Sequence, residues 1–242
     1  MSRAQAFLHL FNRLDAYLLE VTGVEDRNKT FNDVLEQAAR RNRAVRNHES
    51  EIKSFKELRN AIVHETRFGP EPIAEPNEKA FKRFESLVQR ILNPPRADSL
   101  GSEPHRVFDL DDRLSVALTH MRELDFSQVV VYSEECGHSL LTSEGITRWI
   151  EHSMDEGILD LAGVPIAEVM PYEPEGIFRT LRRDATIYDV REAFDDALNR
   201  SGVRLFAVLV TQNGRRTDSV LRIITPWDLL SNNATRSGGG VA

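Results

Sequence analysis

The chain has 242 residues, 40% of them hydrophobic and 29% charged, with a formal net charge of −7. That composition excludes an intrinsically disordered chain and leaves room for one large domain or two smaller ones, each with its own core. The single cysteine, Cys136, excludes an intrachain disulfide, and no apolar run reaches membrane length, so a cytoplasmic protein with neither secretory signal nor spanning helix is expected.

The charge is uneven. Residues 1–96 carry 17 Lys+Arg against 14 Asp+Glu, a surplus of +3, whereas the remainder carries 14 against 24, or −10. A mildly basic first part is compatible with RNA as a partner, and the acidic remainder argues against broad nucleic-acid binding.

In chain order, residues 3 to 22 repeat apolar side chains at helical spacing (Phe7, Leu10, Phe11, Leu14, Tyr17, Leu18, Val21), and Gly23 follows as a stop signal. A second helix is expected after Thr30 as N-cap, with Phe31, Val34, Leu35 and Ala38 inward, ending in the basic stretch Arg40, Arg41, Arg43 and Arg46. Those arginines read either as a solvated face whose charge suits a helix C-terminus or as a phosphate-binding patch. A third helix runs from about Ser50 through Glu65, carries Ile52, Phe55, Leu58 and Ile62, and stops before Gly69-Pro70. Pro70, Pro72 and Pro76 make a non-helical turn, after which Asn77 caps a fourth helix with Phe81, Phe84, Leu87, Val88, Ile91 and Leu92 inward, ended by Pro94-Pro95. Four antiparallel helices over residues 1–95 make a bundle, and residues 96–104 read as a linker.

Beyond Pro104 the pattern changes to short β-branched runs, Val129–Tyr132, Phe206–Val210 and Val220–Ile224, with helical segments near 113–124, 143–153, 186–200 and 226–232. The second half is therefore an α/β layout and the whole chain an α+β, two-domain protein. It also repeats: Asp111–Leu118 aligns with Asp184–Arg191, and Leu140–Gly145 with Ile223–Asp228. The two copies, about 105–155 and 165–233, share the order acidic turn, helix, strand, strand, Thr-x-x-(Asp or Gly), helix. The second has a longer hairpin, expected to turn at Asn213-Gly214, with Arg215 and Arg216 facing solvent. The tail, residues 234–242, includes Ser237-Gly238-Gly239-Gly240 and is expected to be disordered.

The repeat resembles a tandem pair of CBS domains, the Bateman module of regulatory proteins, over residues 105–233. In that family a strand ends in Thr or Ser, and an Asp three residues later holds the ribose hydroxyls of an adenine nucleotide. Thr225 and Asp228 stand at those positions. The resemblance thus implies a regulatory nucleotide (AMP, ADP, ATP or a cyclic dinucleotide) held by Thr225 and Asp228, with Arg222 and Thr142 as further candidates, and implies neither a required cofactor nor a metal. The chemistry is reasonable, because a carboxylate accepts two hydroxyl hydrogen bonds and a helix N-terminus offers amides to phosphate. Two departures matter. Arg222 replaces the family's Gly and either blocks the groove or pairs with a phosphate, and Gly145 replaces the acid in the first copy, so at most one good site is expected, involving the second copy. Without the family, Thr225 is a natural N-cap for a helix opened by Pro226, with Asp228 favouring the dipole.

The first domain resembles the HEPN superfamily, helical bundles that often dimerise and whose catalytic members carry Arg, a polar residue after it, and then His, with four to six residues between Arg and His. Arg59, Asn60 and His64 fit that pattern on the third helix. The resemblance implies metal-independent RNA cleavage in which the 2′-hydroxyl attacks its neighbouring phosphate. His64 would act as general acid or base, Arg59 would stabilise charge on the phosphate, and Asn60 would orient one or the other. One triplet supplies too few groups for both proton transfers, so a homodimer with two triplets across one cleft is expected. The competing reading has His64 favouring a helix C-terminus, Arg59 pairing with Glu57 or Glu65, and a bundle that only dimerises.

Overall fold

The structure, a computed structural model, describes residues 2–24, 29–63, 74–154, 161 and 163–230, with Ser201 described by its backbone alone. The chain divides into two units, Met1–Pro95 and Arg96–Ala242, and each is taken by itself.

The first unit holds four helices, α1 (Arg3–Thr22), α2 (Phe31–Arg41), α3 (Arg43–Val63) and α4 (Glu78–Leu92). Their starts are set locally. Ser2 and Gln5 form a capping box on α1, Thr30 and Asp33 form one on α2, and the Asn77 side chain accepts the Ala80 N–H at 2.8 Å to open α4. Gly23, at φ 61°, ends α1 in the left-handed conformation that glycine adopts at low cost. α1 packs on α2 and α4, and α3 packs on the same two, around a core in which the Phe84 ring lies 4.5 Å from Phe7 and 4.7 Å from Phe55.

One boundary differs from expectation. The third helix starts at Arg43, not near Ser50, because Asn42 interrupts the helical run for a single residue. Asn42 is extended (φ −129°, ψ 119°), its Oδ1 accepts the Val45 N–H at 3.1 Å, and its Nδ2 donates to the Tyr17 hydroxyl at 2.8 Å. The basic stretch is thereby split: Arg40 and Arg41 close α2, whereas Arg43 and Arg46 open α3. Arg41 donates to the Thr22 carbonyl at the end of α1, so at least this arginine serves as a tertiary cap.

The second unit contains two three-stranded sheets. The first copy runs β1 (Val107–Asp109), α5 (Leu114–Leu124), β2 (Gln128–Ser133), β3 (Gly137–Thr142) and α6 (Ser143–Met154). The second runs α7 (Ile166–Val169), β4 (Phe178–Arg182), α8 (Ile187–Ser201), β5 (Ala207–Thr211) and β6 (Val220–Ile224), followed by helical residues 226–230. Each sheet joins its first two strands in parallel across a helix and its last two as an antiparallel hairpin. The aligned positions play matching parts: Leu114 and Ile187 each open a helix, while Leu140 pairs with Val130 as Ile223 pairs with Leu209. The continuous valine run of β2 has a cause, since Val129 and Val131 pack with Phe108, Leu114 and Trp149, and Val130 packs with Phe178 and Leu209 of the other sheet.

Three features depart from the sequence reading. Strands β1 and β4 carry no mark in the sequence: β1 has three residues and β4 carries Arg179 and Arg182, so neither has the alternating apolar run that marks a strand. The hairpin reversal lies beyond Asn213-Gly214. Asn213 bridges Arg182, only Gly214 of the pair takes positive φ (80°), and the chain turns over residues 215–218, where the Asp218 N–H reaches the Arg215 carbonyl. Finally, residues 96–104 are part of the second unit and not a free linker. Ala97 is fully buried, its N–H donates to the Ala185 carbonyl at 2.6 Å, and Ser102 exchanges two backbone hydrogen bonds with Ile223, at 3.2 and 2.8 Å.

These contacts belong to a reciprocal exchange. The lead-in to the first copy, at Arg96 and Ala97, pairs with the turn before α8 of the second copy at Thr186 and Ala185. The lead-in to the second copy, at Pro165 and Ile166, pairs with Arg113 and Asp112 before α5 of the first. Each copy is thus bridged by the lead-in to the other.

Candidate functional site

In the bundle, α3 carries Arg59 and Asn60 to one wall of a cleft of about 370 Å³, with Asn12 and Asp15 from α1, Phe31 from α2, and Lys29 and Lys56 also lining it. The Arg59 Nη1 lies 3.4 Å from Asn60 Oδ1, and the guanidinium carbon lies 6.0 Å from the Phe11 ring centroid. Asp15 feels the same place electrostatically: burial pushes its carboxyl above the ordinary carboxylate range, and the Arg59 charge partly offsets that. Arg59, Lys29 and Lys56, the last ion-paired with Glu57 Oε1 at 3.1 Å, line the cleft with two amides and the Asp15 carboxyl, a set that can hold an anion such as a phosphate. His64, the third member of the expected triplet, lies outside the described residues.

A larger groove, about 580 Å³, opens along α3 and the start of α4, lined by His48, Glu51, Ser54, Lys79 and Arg83 among others. Its central carboxylate is already engaged, with Glu51 2.6 Å from Arg83 Nε and 3.6 Å from His48 Nδ1.

In the second unit the two Thr-x-x-(Asp or Gly) junctions are built differently. At the end of β6, Asp228 Oδ2 accepts the Thr225 N–H at 2.7 Å and the Thr225 hydroxyl at 2.8 Å. Its Oδ1 has no hydrogen-bond partner among the described residues, and both side chains are half-buried. Thr30–Asp33 and Thr186–Asp189 close in the same way, so this geometry is also that of a helix cap. Position in the fold separates them: of the three, Thr225 alone stands at the end of its sheet's last strand, where the repeat places Thr142 in the first copy.

Thr142 is fully buried, and the residue three positions on, Gly145, gives its hydroxyl an N–H at 3.0 Å but has no side chain to accept Thr142's own donors. Glu173, from the lead-in to the second copy, takes that place. Its Oε1 accepts the Thr142 N–H at 2.6 Å and its Oε2 the Thr142 hydroxyl at 2.8 Å. Gly145 makes the room, because a Cβ there would sit 2.1 Å from Glu173 Oε1. Burial raises the Glu173 carboxyl above its usual range, and the two Thr142 donors partly counter this. Sequence reasoning missed Glu173; the available signal was Gly145 itself, a missing acid beside a Thr whose donors still required an acceptor.

Arg222 is committed elsewhere, since its Nη1 donates to Glu103 Oε1 at 2.8 Å and to the Leu221 carbonyl at 2.7 Å. Glu103 is 77% exposed, so the pair is a weak one that an anionic ligand can compete for. Arg215 and Arg216 are exposed, as expected, although the Arg216 carbonyl accepts the His138 N–H at 2.7 Å. Among the described residues there is no cluster of metal-ligating side chains, and no helix is long and apolar enough to cross a membrane.

No family model and no curated protein matches the sequence. Solved structures similar to the chain are CBS domain proteins. One from Kribbella flavida is 18% identical at TM-score 0.43, covering 58% of this chain and 98% of its own. Another, from Thermoplasma acidophilum, is 20% identical at TM-score 0.41, over 56% and 67%. CBSX2, solved in complex with AMP, is 12% identical at TM-score 0.38, over 59% and 93%.

Proposed function

We propose that this chain is a nucleotide-sensing regulatory protein, in which a CBS-like pair of repeats takes an adenine nucleotide at Thr225 and Asp228 and so controls a HEPN-like helical bundle. The observation that carries the reading is the place of this pair at the end of its sheet's last strand, where one Asp228 oxygen is fixed by both Thr225 donors and the other is left to accept ribose hydroxyls. Arg222, held only by the exposed Glu103 and its neighbour's carbonyl, is the nearby cation for a phosphate. Thermal melts with AMP, ADP, ATP and cyclic dinucleotides test this. At least one nucleotide should raise the melting temperature of the wild type, by a few degrees at a hundredfold excess over Kd, and Asp228→Ala should lose the response. A wild type that answers to none of them, or an Asp228→Ala variant that answers equally well, overturns the site.

The output of the bundle is read as metal-independent cutting of RNA by a homodimer, and the support is that Arg59, Asn60, Lys56 and Lys29 line one cleft. Arg59 neutralises the phosphate there, and His64 moves the proton. Incubation with RNA in EDTA should give products ending in a cyclic phosphate. Arg59→Ala and His64→Ala should each reduce the rate by about 10²-fold or more, on the order expected for loss of one charge-stabilising or proton-transferring group. A non-catalytic bundle that signals through contacts with another macromolecule predicts no cutting in the presence or absence of nucleotide.

A further inference from the structure

We infer that the first copy is closed to nucleotide by a carboxylate of the chain itself: Glu173 occupies the acid's seat at Thr142, so each chain holds one nucleotide, at the second copy. The inference rests on the ribose site proposed at Thr225 and Asp228. At both junctions the strand ends in a Thr whose N–H and hydroxyl hold a carboxylate, which shows what the seat accepts. The difference lies in what remains for a ligand. Asp228 uses a single oxygen for both Thr225 donors, whereas Glu173 spends one oxygen on each Thr142 donor. Glu173 also fills the volume that a side chain at position 145 would need, as the 2.1 Å approach to a Cβ there records.

Removing the plug is costly, because Thr142 is fully buried and would keep two unanswered donors. Among the described residues the second copy has no equivalent stopper. Its crossing segment, the lead-in to the first copy, lies along β6 through the backbone of Ser102, and its acid, Glu103, reaches Arg222 and not Thr225. The exchange of lead-ins therefore shuts one seat and leaves the other open.

Titration calorimetry with AMP on the full chain separates the outcomes. Wild type should bind one AMP per chain, Asp228→Ala none, and the double variant Glu173→Ala with Gly145→Asp two, because Asp at 145 can take the Thr142 donors as Asp228 takes those of Thr225. Hydrogen exchange at the Thr142 amide is read alongside: protected in wild type, about tenfold or more faster in Glu173→Ala, and protected again in the double variant. Two AMP per wild-type chain, one AMP retained by Asp228→Ala, or a folded double variant that still takes one, overturns the closed seat while leaving nucleotide sensing intact. Thr142 protection that ignores Glu173→Ala overturns it as well. Absence of AMP binding in every protein removes the nucleotide reading and the closed seat together.

Discussion

Glu173 is a carboxylate held by two strong donors in a half-buried place, and the two influences oppose each other. Burial dominates and raises the pKa above the ordinary value of 4.5. The native state therefore keeps this proton to higher pH than the unfolded chain does. Stability from this group is fully present below the unfolded value and is lost as pH rises through the folded one. Denaturant unfolding of wild type and Glu173→Gln across a range from about pH 4 to 8 should show wild type losing ground to the variant as pH rises, with a slope no steeper than about 1.4 kcal/mol per pH unit, the limit for one proton. Parallel profiles would mean that Glu173 titrates alike in both states.

Among the elements, the segment entering the second unit has the least margin. Gly101 takes φ 63°, and a Cβ on it would fall 2.0 Å from the Ile223 carbonyl oxygen. Only glycine lets the chain lie close enough for Ser102 and Ile223 to exchange their two backbone hydrogen bonds. Gly101→Ala should therefore cost about 2–4 kcal/mol, from the left-handed strain and the displaced hydrogen bonds, whereas Ser102→Ala, which keeps both backbone bonds, should cost less than about 1 kcal/mol. Urea unfolding of the two variants against wild type checks this, and equal losses would contradict it. The same segment reads as linker in the sequence because its composition, Arg96 to Glu103 after two prolines, carries no periodic apolar pattern. What fixes it is backbone pairing, to which composition is blind.

At the scale of the whole molecule, the order of elements is legible in the sequence and several of their boundaries are not. Apolar spacing announces four helices and then an α/β repeat, because amphipathic periodicity records which face each element buries. Periodicity does not reveal the break at Asn42, where a side chain caps the next helix and also reaches Tyr17, 25 residues away. It misses β1 and β4 because they are strands by virtue of their neighbours, β2 and β5, and not through their own residues. The candidate sites divide along the same line. Thr225 and Asp228 are three residues apart and Arg59 and Asn60 are adjacent, so sequence alone could nominate them. Glu173 meets Thr142 across 31 residues, and only the exchange of lead-ins between the copies brings it there. The sequence by itself determined that the first copy lacks an acid at Gly145. Tertiary structure decided that the acid's place is filled, because two buried donors on Thr142 must be met by whichever carboxylate the fold delivers.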